Sequence, residues 1–367
     1  MKILFSIILL LHGLLHFIGF AKAYKLASLP QLELSVSRSL GTLWLIAGII
    51  FLLALVLFIL DKKFWPFFAL AGVLISQSLI IISWQDTKFG TILNIIILLM
   101  SIPALGNFHF KDMLKNEKEA FRQELKEPAK QVITHENLKS LPPAVGKWLE
   151  TSGVVGKPKI SYGYLIQRGE MRTSPDGNWM AFEAKQLVNL ENPYFIWNTE
   201  VEMAPFITLH GRDKLMNGEG EMLIKLLSLV PVVDEGPGEK MNTGAMLRYL
   251  GEICWFPSAA LSEHITWEET GRYTAMATLR IGETEVSGEF TFNGAGDMES
   301  FEALRYYGGG EEAKQEKWYI KAVAYREFSG YRIPAKCAVT WKLPEGDFNW
   351  LNLEITSIEY NQLPGQE

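Results

Sequence analysis

The spacing of apolar and polar positions divides this chain into two unlike halves. Residues 1–106 hold nearly unbroken apolar runs, and four of them, Ile3–Phe20, Leu40–Leu60, Phe64–Ser83 and Phe89–Leu105, are 17–21 residues long. That is close to the length a helix needs to cross hydrocarbon, so the pattern predicts four membrane spans. The first run follows Lys2 in the manner of a secretory signal, but it continues to spanning length with no small-residue cleavage site. Asn94 makes the fourth span the least apolar. Beyond it, Lys111–Leu125 reads as an interfacial or solvent-facing helix with Met113, Leu114 and Phe121 as a partial apolar face, ended by Glu127-Pro128. Ala144–Leu149 reads as a short helix, and Thr151–Lys159, with Gly153, Gly156 and Pro158, as a connector.

From residue 160 onward the period falls to two, the signature of half-buried strands. Trp179–Val188 places Met180, Phe182, Ala184 and Val188 on one face, and Tyr194–Ala204 does the same with Phe195, Trp197, Val201 and Met203. Phe206–Asp213 and Glu219–Leu227 follow, separated by the turn Met216-Asn217-Gly218. Strand patterns return at Ile265–Glu269, Tyr273–Arg280, Thr284–Phe292, Met298–Tyr307, Trp318–Phe328, Ala335–Leu343 and Trp350–Tyr360. Between the two sets lies Met241–Leu261, where Met246, Leu247, Leu250 and Cys254 repeat at helical spacing, with Asn242 or Thr243 to cap the start and Pro257 to stop it. Short connections between successive strands favour an antiparallel meander. The predicted fold class is α+β: four transmembrane helices (1–110), an interfacial helix and connector (111–160), then a curved antiparallel sheet with a helix over its apolar face (161–367).

Charge and composition narrow the partners. The formal net charge is -6, and no dense basic stripe with interleaved aromatics exists, so nucleic acid is not expected. An even number of spans puts Lys2, Lys62, Lys63, Lys111, Lys115, Lys118 and Arg122 on one side, against Lys22, Lys25, Arg38 and Lys88 on the other. That bias predicts a cytoplasmic soluble domain in a bacterial inner membrane. Cys254 and Cys337 match no metal-ligand spacing and read as two buried thiols.

Chemistry is sparse. In HGLLHFIGF, His12 and His16 share one helix face and Gly13 permits close helix approach, but two histidines are an incomplete metal set and read as neutral packing groups. Isolated His135 reads as solvent-facing. Arg212-Asp213 and Arg248 are candidates for the mouth of a cavity, and Glu252, one turn after Arg248, predicts an intrahelical salt bridge on the surface. Trp255, Phe256, Trp318, Tyr325, Phe328, Trp341 and Trp350 are candidate lining. His210 and His264 lack an identifiable third partner. Glu200, Glu202, Asp234 and Glu235 read as a solvated face and turn, and GEGE and GPGE lack the context of a phosphate loop. No catalytic, metal or cofactor-binding residue is assigned.

The stretches Gly211–Val233, Leu247–Leu261, Gly288–Phe292 and Tyr331–Asn361 resemble a largely uncharacterised family of bacterial membrane proteins with a lipoprotein-carrier-like (LolA-like) C-terminal domain. The resemblance implies an incompletely closed antiparallel barrel covered by helices, with apolar-ligand binding, and carries over no catalytic residues. The resulting expectation is a membrane-tethered domain that binds a lipid or other apolar envelope molecule, with Arg212, Arg248 and Trp255 as candidate ligand contacts and membrane lipid or a membrane protein as partners. A membrane-bound enzyme and a structural or protein-interaction module are the alternatives.

Overall fold

The computed structural model describes residues 2–27, 33–128, 130–204, 207–308, 310 and 312–363. The chain forms two compact units, one of residues 1–113 with 227–229 and one of residues 114–226 with 230–367.

The first unit is helical: α1 (Lys2–Ala23), α2 (Arg38–Ile59), α3 (Trp65–Ile82), the short α4 (Trp84–Thr87) and the beginning of α5 (Gly90–Gln123). Four of these are long and apolar enough to cross a bilayer, as in a multi-pass membrane protein. Phe5, Leu9, Phe51, Ala54, Ala69, Val73 and Ile97 form their shared core, while Ile3, Leu11, Leu74 and Leu99 face outward, where lipid would be their natural solvent. Gly13 meets Gly48 where α1 and α2 touch: a Cβ on Gly48 would lie 2.9 Å from the Gly13 carbonyl oxygen. The fourth span and the charged segment after it form one helix rather than two. α5 runs through Pro103; in its last turns Leu114 and Phe121 of the expected apolar face are buried, Phe121 against Tyr162, Leu187, Tyr194 and Ile196, while Lys111, Lys115 and Glu119 are exposed.

The second unit holds one sheet of thirteen antiparallel strands in the order β6-β5-β4-β3-β2-β1-β13-β12-β11-β10-β9-β8-β7. The first six are β1 (Tyr162–Met171), β2 (Met180–Asn189), β3 (Tyr194–Ala204), β4 (Ile207–Met216), β5 (Glu219–Leu226) and β6 (Val230–Glu235). The others are β7 (Ile265–Gly271), β8 (Thr274–Ile281), β9 (Thr284–Phe292), β10 (Met298–Tyr307), β11 (Lys314–Phe328), β12 (Tyr331–Leu343) and β13 (Gly346–Tyr360). Each set is a meander, and the two are joined at the middle by β1 against β13, from Gly163 opposite Tyr360 to Met171 opposite Leu351. Because β6 and β7 are separate edges, the sheet curves without closing. The curvature has local causes: β11 bulges at Ala322–Tyr325, where Pro334 of β12 lies opposite Tyr325, a position in which a missing N–H is tolerated.

The predicted strands form with small shifts, and β3, β9 and β10 keep the expected bounds. Phe206 lies outside the described residues. Two strands carry no clear alternating signal. β6 contains Pro231, and β1 contains Gly163 and Gly169, which interrupt its apolar pattern for a packing reason: a Cβ on Gly169 would lie 2.1 Å from the Asn352 carbonyl oxygen, and one on Gly163 2.4 Å from the Phe256 ring.

The chain between β6 and β7 crosses the inner face of the sheet as α8 (Glu239–Glu252) and two 3₁₀ turns, Ile253–Trp255 and Pro257–Leu261. The α-helix therefore starts two residues earlier than expected and ends well before Pro257. Gly238 precedes it, and Asn242 does not cap it from outside; its Oδ1 accepts from the Gly220 and Gly238 N–H groups, tying the first turn to β5. α8 touches both wings of the sheet, β4 and β5 on one side and β8 to β10 on the other. Before the sheet, α6 (His135–Leu138) leads to α7 (Pro143–Thr151), whose Trp148 packs against Trp267, Phe290 and Phe292. His135 is exposed and pairs with Glu150 at 3.0 Å.

Candidate functional site

Between α8 and the inner face of the sheet lies a cavity of about 1220 Å³. Its size exceeds the range of roughly 300–1,000 Å³ usual for small-molecule sites. Met222, Ile224, Val339 and Leu353 supply aliphatic wall, and Trp197, Trp318, Trp341 and Trp350 supply rings. Glycines bring the helix near the sheet without filling this space. Gly251 of α8 sits over Phe301 and Ile320, and Gly220 of β5 lies under Met241 and Ala245.

The polar groups of the wall form an ordered set. Arg248 of α8 donates from Nη1 to Asp213 Oδ2 at 2.5 Å and from Nε to Glu252 Oε1 at 2.8 Å. Its guanidinium carbon is 4.9 Å from the ring centres of both Phe195 and Trp197. Gln186 donates to the other Glu252 oxygen at 2.6 Å, and Trp197 donates to Gln167 at 2.9 Å. Burial alone would lower the Arg248 pKa, but Glu252 and Asp213 hold it above its ordinary value. The helical pair read from sequence is thus present, but it is part-buried and extended to a third residue, buried Asp213, rather than fully on the surface.

Arg212, Arg248 and Trp255 all border the cavity, yet their side chains differ in what they do. Alternation along β4 turns Arg212 away from α8, where it pairs with Glu221 at 3.0 Å and with Glu117 of α5 at 3.3 Å, alongside Lys214. Trp255 is buried, and its indole N–H donates to the Pro334 carbonyl at 3.0 Å. Trp318, Trp341 and Trp350 line the space as expected, whereas Phe256, Tyr325 and Phe328 pack elsewhere. Cys254 and Cys337 also border it as buried free thiols, and burial pushes Cys337 up to about 12.

Sequence reading missed Arg305. On β10 it shares the inward face of Phe301 and Ala303, and its guanidinium carbon lies 4.7 Å from the Trp318 ring centre and 6.0 Å from that of Trp341. The alternation of β10 carried that signal, since Leu304 on the other face is exposed.

His210 Nε2 lies 3.2 Å from Thr208 Oγ1, and His264 Nε2 lies 3.3 Å from the Glu191 carbonyl oxygen. Glu200, Glu202, Asp234 and Glu235 are exposed. In the helical unit, His12 Nε2 is 2.8 Å from Asn94 Oδ1 and 3.3 Å from Ser76 Oγ, and Asn94 donates to Gln77 at 3.0 Å. His16 Nδ1 donates to the His12 carbonyl at 2.7 Å, and the two rings meet edge to face beside a cavity of about 220 Å³. Among the described residues no three His, Cys, Asp or Glu side chains converge as metal ligands.

Residues 139–360 match the model of a family of unknown function, DUF6920. The chain belongs to that family. No curated protein matches it. Among solved structures, it is similar to a domain named for outer-membrane lipoprotein sorting from Vibrio parahaemolyticus, at 8% identity and a TM-score of 0.30 over 56% of this chain and 87% of the other. It is also similar to a DUF1329 family protein from Desulfovibrio piger, at 7% identity and a TM-score of 0.32 over 66% of this chain and 96% of the other.

Proposed function

We propose that this membrane protein binds a lipid or another apolar envelope molecule in the cavity beneath α8. The observation that carries the reading is the cavity itself, about 1220 Å³ walled by aliphatic and indole side chains. An apolar wall held apart rather than packed together is surface that an apolar ligand would remove from water. The functional partition that accompanies the reading is a transmembrane part (1–110), a connector (111–160) and a ligand-binding β-domain (161–367). The count of lysines and arginines in the short loops supports a bacterial inner membrane with the β-domain on the cytoplasmic side. Arg248 and Trp255 serve as wall contacts in this reading, and Arg212 as a brace behind the wall.

Native mass spectrometry of the intact chain released from nanodiscs tests the proposal. One lipid-sized adduct should survive activation strong enough to strip annular lipid, and organic extraction should release it. Loss of all adducts at the activation that strips annular lipid would count against a cavity ligand.

A further inference from the structure

Arg305 differs from the other two arginines of the wall. Arg248 has two carboxylate partners and Arg212 has two, whereas Arg305 has no ion pair and no hydrogen bond among the described residues. The acids nearest in the cavity, Asp213 and Glu252, are committed to Arg248, and Glu316, its neighbour across the β10–β11 ladder, forms no ion pair with it. The side chain is nonetheless held in place. Its guanidinium lies over the Trp318 ring, with the carbon 4.7 Å from the ring centre, a cation–π contact that uses none of its N–H donors. α8 makes room there: Gly244 lies over the group, and a Cβ on it would be 3.3 Å from Arg305 Nε.

A cation lodged in an apolar wall is costly unless an anion meets it. Burial lowers the Arg305 pKa to about 10, the attraction of Asp213 and Glu252 only partly offsetting burial and the repulsion of Arg248. The group is therefore still charged at neutral pH. We infer that the cavity receives an amphiphile with a monoanionic head, a carboxylate or phosphodiester, bound by the edge of the Arg305 guanidinium while its apolar body lies along the Met222, Ile224, Val339 and Leu353 wall. Asp213 and Glu252 set the charge limit, because a dianionic head would meet the carboxylates of buried Asp213 and part-buried Glu252. The inference rests on the apolar-ligand reading above and adds the ligand's polar end.

The test uses the full chain in nanodiscs of uncharged lipid with two photoreactive probes of equal length, a diazirine hexadecanoic acid and the matching hexadecanol, and maps labelled peptides. The acid should label cavity-lining peptides about tenfold more than the alcohol, as a charge-assisted hydrogen bond implies. In Arg305→Gln the acid should fall to the level of the alcohol, with alcohol labelling unchanged, which also shows that the variant is folded. Arg305→Lys, keeping charge without the planar fork, should recover part of the difference. Phosphatidylglycerol should compete with the acid, and acetate at the same concentration should not. Equal labelling by acid and alcohol in both chains would overturn the anionic head while leaving the apolar cavity standing. Labelling by neither would overturn both, and full displacement by acetate would show a free-anion site instead.

Discussion

At the scale of single residues, Arg248 bridges two carboxylates of the cavity wall that come from different elements. Replacing it with methionine would leave buried Asp213 and part-buried Glu252 without their paired guanidinium, and removing one partner of a buried set costs on the order of 3–5 kcal/mol, an upper bound here because Glu252 is partly exposed. Arg248→Met should therefore lower the thermal midpoint sharply, and adding Asp213→Asn and Glu252→Gln should restore much of it, because the triple change removes charge as a set. Recovery failing in the triple variant would mean that Arg248 matters through packing on Phe195 and Trp197 instead. Half of this network was readable beforehand: Arg248 and Glu252 are one turn apart, but Asp213 lies 35 residues upstream and reaches them only through the sheet. Arg305 was hidden for a similar reason, since alternation shows which way a strand residue points and not whether it has a partner. Cys337 yields a pH prediction. Burial raises its thiol from 9.0 to about 12, so above pH 9 the unfolded chain releases a proton that the folded chain keeps. Stability should then fall as pH rises from 9.0 towards about 12, at up to about 1.4 kcal/mol per pH unit from this group. A pH series of thermal melts should show a shallower alkaline decline for Cys337→Ala than for the parent chain; equal slopes would remove the thiol from the account.

Among the elements, β1 holds the two meanders together and was the strand hardest to read. The glycines that break its pattern are the ones its central position requires. Gly169 lies against the backbone of β13, and a methyl there has nowhere to go, so Gly169→Ala should cost more than about 2 kcal/mol, although alanine usually gains a few tenths from a stiffer unfolded chain. Denaturant melts of the intact protein would show this, with Gly282→Asn in the open β8–β9 turn as a near-neutral control, its φ of +60° suiting asparagine. An unchanged midpoint in Gly169→Ala would mean that β1 can slide against β13. β9 and β10 were legible because each has one face on the core and the other mostly towards solvent, and β3 because its alternation survives beyond Ile196, although Tyr194 and Ile196 of its second face are buried with Phe121. β6 was not, because Pro231 argues against a strand unless the strand is an edge, and edge position is a property of the assembled sheet. The same limit applies to α5: the change from apolar to charged sequence suggested two helices, while one helix runs from Gly90 to Gln123, with Phe121 packed on β1 to β3.

For the molecule as a whole, four apolar helices and an antiparallel meander were both implied by period and length, whereas the space under α8 could not be. Apolar residues on the inner face of a sheet look the same in sequence whether they touch each other or surround a ligand. A volume test separates these cases directly. Val339 is buried on β12 and borders the cavity, so Val339→Phe adds bulk at its wall. In a close-packed core that substitution would cost about 1–3 kcal/mol through strain. Against a cavity of about 1220 Å³ the ring has room, so the thermal midpoint should hold or rise while the retained lipid adduct diminishes. Ligand-linked stabilisation gives a second readout. Saturation at a hundredfold above Kd adds about 2.7 kcal/mol to a protein that binds only when folded. Hexadecanoate should therefore raise the midpoint of the parent chain by several degrees and that of Val339→Phe by less. If the variant is destabilised and still responds fully to hexadecanoate, the lipid lies elsewhere, against the helices, and the β-domain must be read as a filled core.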